Sequence, residues 1–133
     1  MVDSAMFYLI GTFYPLVARA TYPTLGFPQY AGEAATSDAD DEVKEKARQD
    51  AVEALAMPLE AFHKQFLDGR TFIGGEKPSI ADIRLAVTLE FLKAINYDFP
   101  GWATEYMSAV EEALGEAYSE PAGDVRGFVD SVK

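Results

Sequence analysis

The sequence predicts an all-α fold, a bundle of five helices. Apolar residues recur at three-then-four spacing in five stretches, Pro and Gly clusters fall between those stretches, and no run alternates apolar with polar residues long enough to make a strand. A chain of 133 residues is the length of one ordinary domain, expected to span 1–133 and to bury a sizeable core.

The first helix is expected over 5–25. Met6, Leu9, Ile10, Phe13, Val17 and Ala20 form its core-facing stripe, with Asp3 or Ser4 as candidate N-caps. Phe7, Tyr8, Tyr14, Leu16 and Tyr22 lie on the other side, so something besides the domain's own core should cover this helix. Pro15 removes a backbone donor and predicts a kink, and Tyr22-Pro23 through Gly26-Phe27-Pro28 ends the helix. Residues 29–40 read as a loop, with Ser37 or Asp38 as the cap of the second helix.

That second helix carries Val43, Ala47, Ala51, Ala54, Leu55, Leu59, Phe62 and Phe66 on one stripe and stops at Asp68-Gly69. Pro58 interrupts it, so either the helix bends or two shorter helices meet. Gly74-Gly75 makes a turn, and Ser79-Ile80-Ala81-Asp82 opens a third helix. In that arrangement Ser79 accepts from the amide of the third helical residue, and the Asp82 carboxylate reaches back to the Ser79 amide. Losing this capping box by Asp82→Ala should cost about 1 kcal/mol, more if the end is dry. Ile83, Leu85, Ala86, Val87, Leu89, Phe91, Leu92, Ala94 and Ile95 then cover every side, which marks the central buried helix. Trp102, Tyr106, Val110 and Leu114 predict a fourth helix after Pro100-Gly101. Past Pro121, the residues Val125, Phe128, Val129 and Val132 predict a short last one.

Composition narrows the function classes. With 49% hydrophobic and 25% charged residues the profile is globular, and no run reaches the ~20 apolar residues of a membrane span. Met1-Val2-Asp3-Ser4 lacks a basic n-region, so no secretory signal is expected and a cytoplasmic location follows by default. Zero cysteines remove disulfides, thiolate metal sites and thiol nucleophiles. A net charge of −11 and a pI near 4.4 argue against nucleic acid and anionic lipid surfaces as partners. The acidic excess between Glu33 and Glu60 reads as a solvated helix face and loop.

His63 is the only histidine and stands without a second metal-ligating neighbour, so a structural or solvent-facing role is expected. The run Asp38-Ala39-Asp40-Asp41-Glu42 fails the calcium-loop pattern, which wants Gly and Glu where Val43 and Gln49 stand. No metal centre is expected. No Gly-flanked serine turn exposes a nucleophile, so hydrolase chemistry has no support and no catalytic residue is assigned.

The words used at the cap are specific. Phe72-Ile73-Gly74-Gly75-Glu76-Lys77-Pro78-Ser79-Ile80-Ala81-Asp82-Ile83 resembles the signature of the glutathione S-transferase C-terminal domain. Gly11-Thr12-Phe13-Tyr14 with Tyr22-Pro23, and Asn96-Tyr97-Asp98-Phe99-Pro100 to Trp102, resemble segments of the delta and theta classes. The resemblance implies that Ser79 and Asp82 form the structural cap of the central helix. It also implies that Tyr14, Val17 and Tyr22, with Phe128 from the tail, line the pocket for an apolar electrophile. Pro15, Pro58 and Val17-Ala18-Arg19 depart from the family's pattern. In that family glutathione and its thiolate-activating residue belong to a thioredoxin-like domain, and nothing in this sequence alternates strand and helix. The expectation is therefore a hydrophobic half-site that binds apolar small molecules and holds no cofactor of its own. Glutathione would enter as co-substrate only with a thioredoxin-like domain docked on the first helix, and conjugation by the chain alone is not expected. Aromatic residues at helical spacing serve cores and interfaces more often than ligands. The alternative is accordingly a non-catalytic dimerisation or protein-interaction module that uses the apolar side of the first helix.

Overall fold

The computed structural model describes residues 1–27 and 39–133, and within them the helical stripes pack into five successive helical rods. The first, 2–25, joins Val2–Tyr8, a π-helical turn Leu9–Phe13 and Tyr14–Leu25. The second, 41–67, joins Asp41–Ala54, Ala56–Ala61 and a π-helical turn Phe62–Leu67. The central helix is Ile80–Leu92 with a 3-10 turn Lys93–Ile95; the fourth is Gly101–Leu114 and the last Glu116–Ser131.

Pro15 and Pro58 each coincide with a change in the helical hydrogen bonding. A proline ring crowds the carbonyl four residues before it and offers that carbonyl no amide. For Pro15 that residue is Gly11, in the middle of the widened Leu9–Phe13 turn. For Pro58 it is Ala54, where the regular ladder ends before Leu55. The second helix nonetheless continues, because Leu55 keeps helical angles and accepts from the Leu59 amide at 3.0 Å.

Several expectations are corrected. The first helix starts at Val2 with Met1 at its N-cap, so Asp3 lies in the first turn and neither Asp3 nor Ser4 caps it. The last helix is not short: it begins directly after Gly115, whose φ of 59° breaks the preceding helix, and it carries Pro121 inside. Ser37 and Asp38 lie outside the described residues; Asp40 stands at the N-cap of the second helix and makes no side-chain cap bond.

The core lies around the central helix, where Leu85, Ala86, Leu89 and Leu92 are fully buried. The first, fourth and last helices all pack on it. Phe13 meets Phe62 edge to face at 5.4 Å, joining the first helix to the second, and Tyr8 closes over Phe62 and Phe66. Such aromatic pairs contribute about 0.5–1.5 kcal/mol beyond area burial. The central helix is not buried on every side, however. Its first turn presents Ile80, 65% exposed, and Ile83 to solvent. On the first helix Ile10 also leaves the core stripe, and Phe7 is 78% exposed. Tyr14 lies beside Arg84, and Leu25 shares a small core with Ala94. The first and central helices therefore run parallel, which brings Phe7 and Ile10 to the same end as Ile80 and Ile83.

Candidate functional site

Two constellations hold the residues that the sequence singles out. At the start of the central helix, Ser79 and Asp82 form the reciprocal capping box. The structure adds far more to it. The fully buried Asp82 carboxylate accepts from the amides of Ile73 at 2.7 Å, Gly74 at 3.0 Å and Ser79 at 2.7 Å, and from the Ser79 hydroxyl at 2.7 Å. The Tyr106 hydroxyl, from the fourth helix, donates at 2.8 Å to Oδ1, the oxygen that also accepts from Ile73. A carboxylate saturated in this way ties the turn, the central helix and the fourth helix together. Burial, and then the Asp82 charge beside it, holds the Tyr106 phenol far above its ordinary range. The two glycines of the turn serve different needs. A Cβ on Gly74 would sit 2.4 Å from the Lys77 carbonyl, whereas Gly75 has a φ of +97°.

The second constellation is aromatic and only half-buried. Tyr14 and Tyr22, two turns apart on the first helix, join through their hydroxyls at 2.7 Å. The Tyr22 ring meets Phe27 edge-on at 5.2 Å, and Phe27 stacks on Phe128 of the last helix at 5.9 Å with planes 10° apart. The Arg84 guanidinium lies 6.0 Å from the centre of the Tyr14 ring, where the negative ring face attracts it. Three of the four predicted lining residues, Tyr14, Tyr22 and Phe128, thus belong to one chain of contacts. Val17 does not join them: it points into the core, 1% exposed. Helical spacing sets it on the core-facing stripe with Leu9, Phe13 and Ala20, all buried.

Phe27 is the member that sequence reasoning misses, because Gly26-Phe27-Pro28 reads locally as a helix stop and nothing more. A signal is nonetheless present. Gly26 takes φ +72°, and the Phe27 amide reaches back to the Tyr22 carbonyl at 3.1 Å, the long hydrogen bond of a Schellman turn. That turn brings the residue after the glycine onto the helix residue five positions before it, here Phe27 onto Tyr22.

Phe128 reaches the cluster only because the last helix is fixed. Arg126 donates to Glu90 of the central helix at 2.8 Å and to Glu111 of the fourth at 2.8 Å, while Lys93 also pairs with Glu90 at 2.6 Å. Glu90 is 1% exposed, so its charge is compensated from two sides. The hydrogen bond from Arg126 holds the Glu111 carboxyl below its ordinary range. Burial, with the Glu90 charge next, pushes the nearby Tyr118 phenol up to about 12. Val129 seats the same helix against Leu25 and Ala94.

His63 is solvent-facing and stacks flat on Trp102 at 4.7 Å. Among the described residues no group of three or more His, Cys, Asp or Glu side chains is placed to hold a metal ion. Among them, too, no helix is long and apolar enough to cross a membrane.

Compared with known families, residues 45–117 match the glutathione S-transferase, C-terminal domain. Neither a curated protein nor a solved structure matches the chain. The matched stretch is more than half of the sequence and contains the Asp82 cap and the central helix, while Tyr14, Tyr22, Phe27 and Phe128 lie outside it. On that match and the all-helical architecture around the capped central helix, the chain belongs to the glutathione S-transferase C-terminal domain family.

Proposed function

We propose that this chain forms the hydrophobic, electrophile-binding side of a cytoplasmic glutathione-transferase-like protein. On this reading it is not competent for conjugation until a thioredoxin-like domain, in the same gene product or in another chain, supplies the glutathione site. The observation that carries the proposal is the aromatic cluster. Tyr14, Tyr22, Phe27 and Phe128 come from opposite ends of the sequence and leave Phe27 39% and Phe128 40% exposed beside two hydroxyls and one guanidinium. Apolar walls with a few convergent polar groups suit a small apolar ligand with a polar head. The exposed Phe7, Ile10, Ile80 and Ile83 lie at the other end of the same two helices, and they favour a docked domain over open water. A delta- or theta-like subclass is part of the same reading, on the first-helix residues Gly11 to Tyr14 with Tyr22-Pro23.

Titration calorimetry with an S-alkyl glutathione conjugate and with an apolar dye tests the pocket. Saturable heat that falls in Phe27→Ala and in Phe128→Ala is the expected result; absence of saturable heat in the unaltered chain rejects it. With glutathione and a generic aryl halide the chain alone should not exceed the uncatalysed rate. Turnover well above it would show a nucleophile site that this reading lacks.

The same exposed apolar end supports a second reading, a dimerisation or docking module in which a second copy covers Phe7 and Ile10. Light scattering over a concentration series separates the two. A dimer dissociated by Phe7→Ser favours the module, and a monomer at all concentrations favours the awaiting domain.

A further inference from the structure

Against the second helix, the segment after the central helix folds back and leaves a cleft of about 290 Å³. Its walls include three aromatic rings, Tyr97, Phe99 and Trp102, and two carboxylates, Glu60 and Asp98, and no basic side chain lines it. Tyr97 and Phe99 meet at 5.2 Å with planes 76° apart, a corner of two rings. Trp102 is braced from a neighbouring cleft by the stacked His63 ring. Glu60 is shared with Lys64 at 2.9 Å, but no hydrogen bond or ion pair joins Asp98 to another described residue.

From these walls we infer that the cleft is a binding site for a small alkylated ammonium ion. Ring faces carry negative potential, and a methylated cation, weakly hydrated and apolar at its shoulders, gains from several of them at once. The carboxylates add charge that a neutral ligand of the same shape cannot use, and the net charge of −11 raises the concentration of cations near the surface. A hard metal ion does not suit the walls, since two carboxylates fall short of the six to eight oxygens that calcium takes. The volume lies at the low end for ligand cavities, which limits the occupant to a single head group. The cleft lies apart from the Tyr14 to Phe128 cluster and does not depend on its function.

Trp102 is the only tryptophan, so its fluorescence reports on this cleft directly. Titration of the full chain with choline chloride should give a saturable change that sodium chloride at equal ionic strength and choline's neutral carbon isostere 3,3-dimethyl-1-butanol do not. Asp98→Asn should raise the half-saturation concentration about two- to fivefold, as loss of one exposed charge contact would. Glu60→Gln and Phe99→Leu should raise it as well, with unchanged helical circular dichroism, and Phe128→Ala should leave it unaltered. No saturable change, an equal response to the neutral alcohol, or a response that survives both Asp98→Asn and Glu60→Gln overturns the proposal.

Discussion

The Asp82 cap and the Tyr14 to Phe128 cluster are both built from polar and aromatic groups, yet they are held in opposite ways. The cap centres on a fully buried carboxylate: it accepts from three amides and two hydroxyls, and four of those donors come from the nine residues before it. The cluster is half in water, and its two ends meet only because the last helix lies over the end of the first. A saturated buried charge fixes one geometry, because every partner would be left unsatisfied without it. Stacked, half-exposed rings can part at little cost. The cap therefore suits a structural role and the cluster suits an adaptable ligand.

The largest expected effect tests the first half of that contrast. Asp82→Ala strands the Ile73, Gly74 and Ser79 amides together with the Tyr106 hydroxyl, so it should cost about 3–5 kcal/mol in urea unfolding, well above an ordinary cap. A loss near 1 kcal/mol would return Asp82 to that ordinary status. Next comes Arg126→Ala, which leaves Glu90 buried with Lys93 alone and should cost about 2–3 kcal/mol. Because it frees the helix that carries Phe128, it should also weaken ligand binding at the cluster; unfolding without a binding loss would separate the helix anchor from the site. Tyr22→Phe removes one hydroxyl from the half-buried pair and should change stability by less than about 1 kcal/mol. A larger change would mean that the cluster is as rigidly built as the cap.

The smallest effect is a pH dependence. Glu111 has its carboxyl held below its ordinary range by Arg126, so its contribution is present above the unfolded carboxyl's pKa, about 4.3, and is lost as pH falls through the lower folded value. Since Arg126 is about a third exposed, that contribution should stay within about 1 kcal/mol. Glu111→Gln should be less stable than the unaltered chain at pH 7 and converge with it under acid, in urea rather than in a guanidinium salt. A gap that persists at low pH would assign the effect to packing.

Local chemistry made the cap legible and hid much of the cluster. Ser79 and Asp82 stand three residues apart, so a one-turn rule finds their pairing, but the Tyr106 contact is 24 residues away and no local rule points to it. In the cluster, helical spacing put Tyr14 and Tyr22 on one side and Val17 on the core stripe; only the family resemblance added Val17 to the pocket, and the structure keeps it inward. Phe27 had a local signal in the Schellman turn, but stacking on Phe128 requires the path of the whole chain. Pro15 and Pro58 behaved likewise: their positions announced a disturbance, while only the structure decided that a widened turn would absorb one, a break at Leu55 the other, and that both rods would continue.

By itself, the sequence determined the all-α class, the five helical segments and the cap of the central helix, because periodicity, turn residues and capping act within a few residues of chain. Tertiary structure decided which faces were buried, that Arg126 would neutralise Glu90, and that rings from both ends of the chain would meet. Those outcomes depend on how whole helices pack, where a contact forms between residues that no spacing relates.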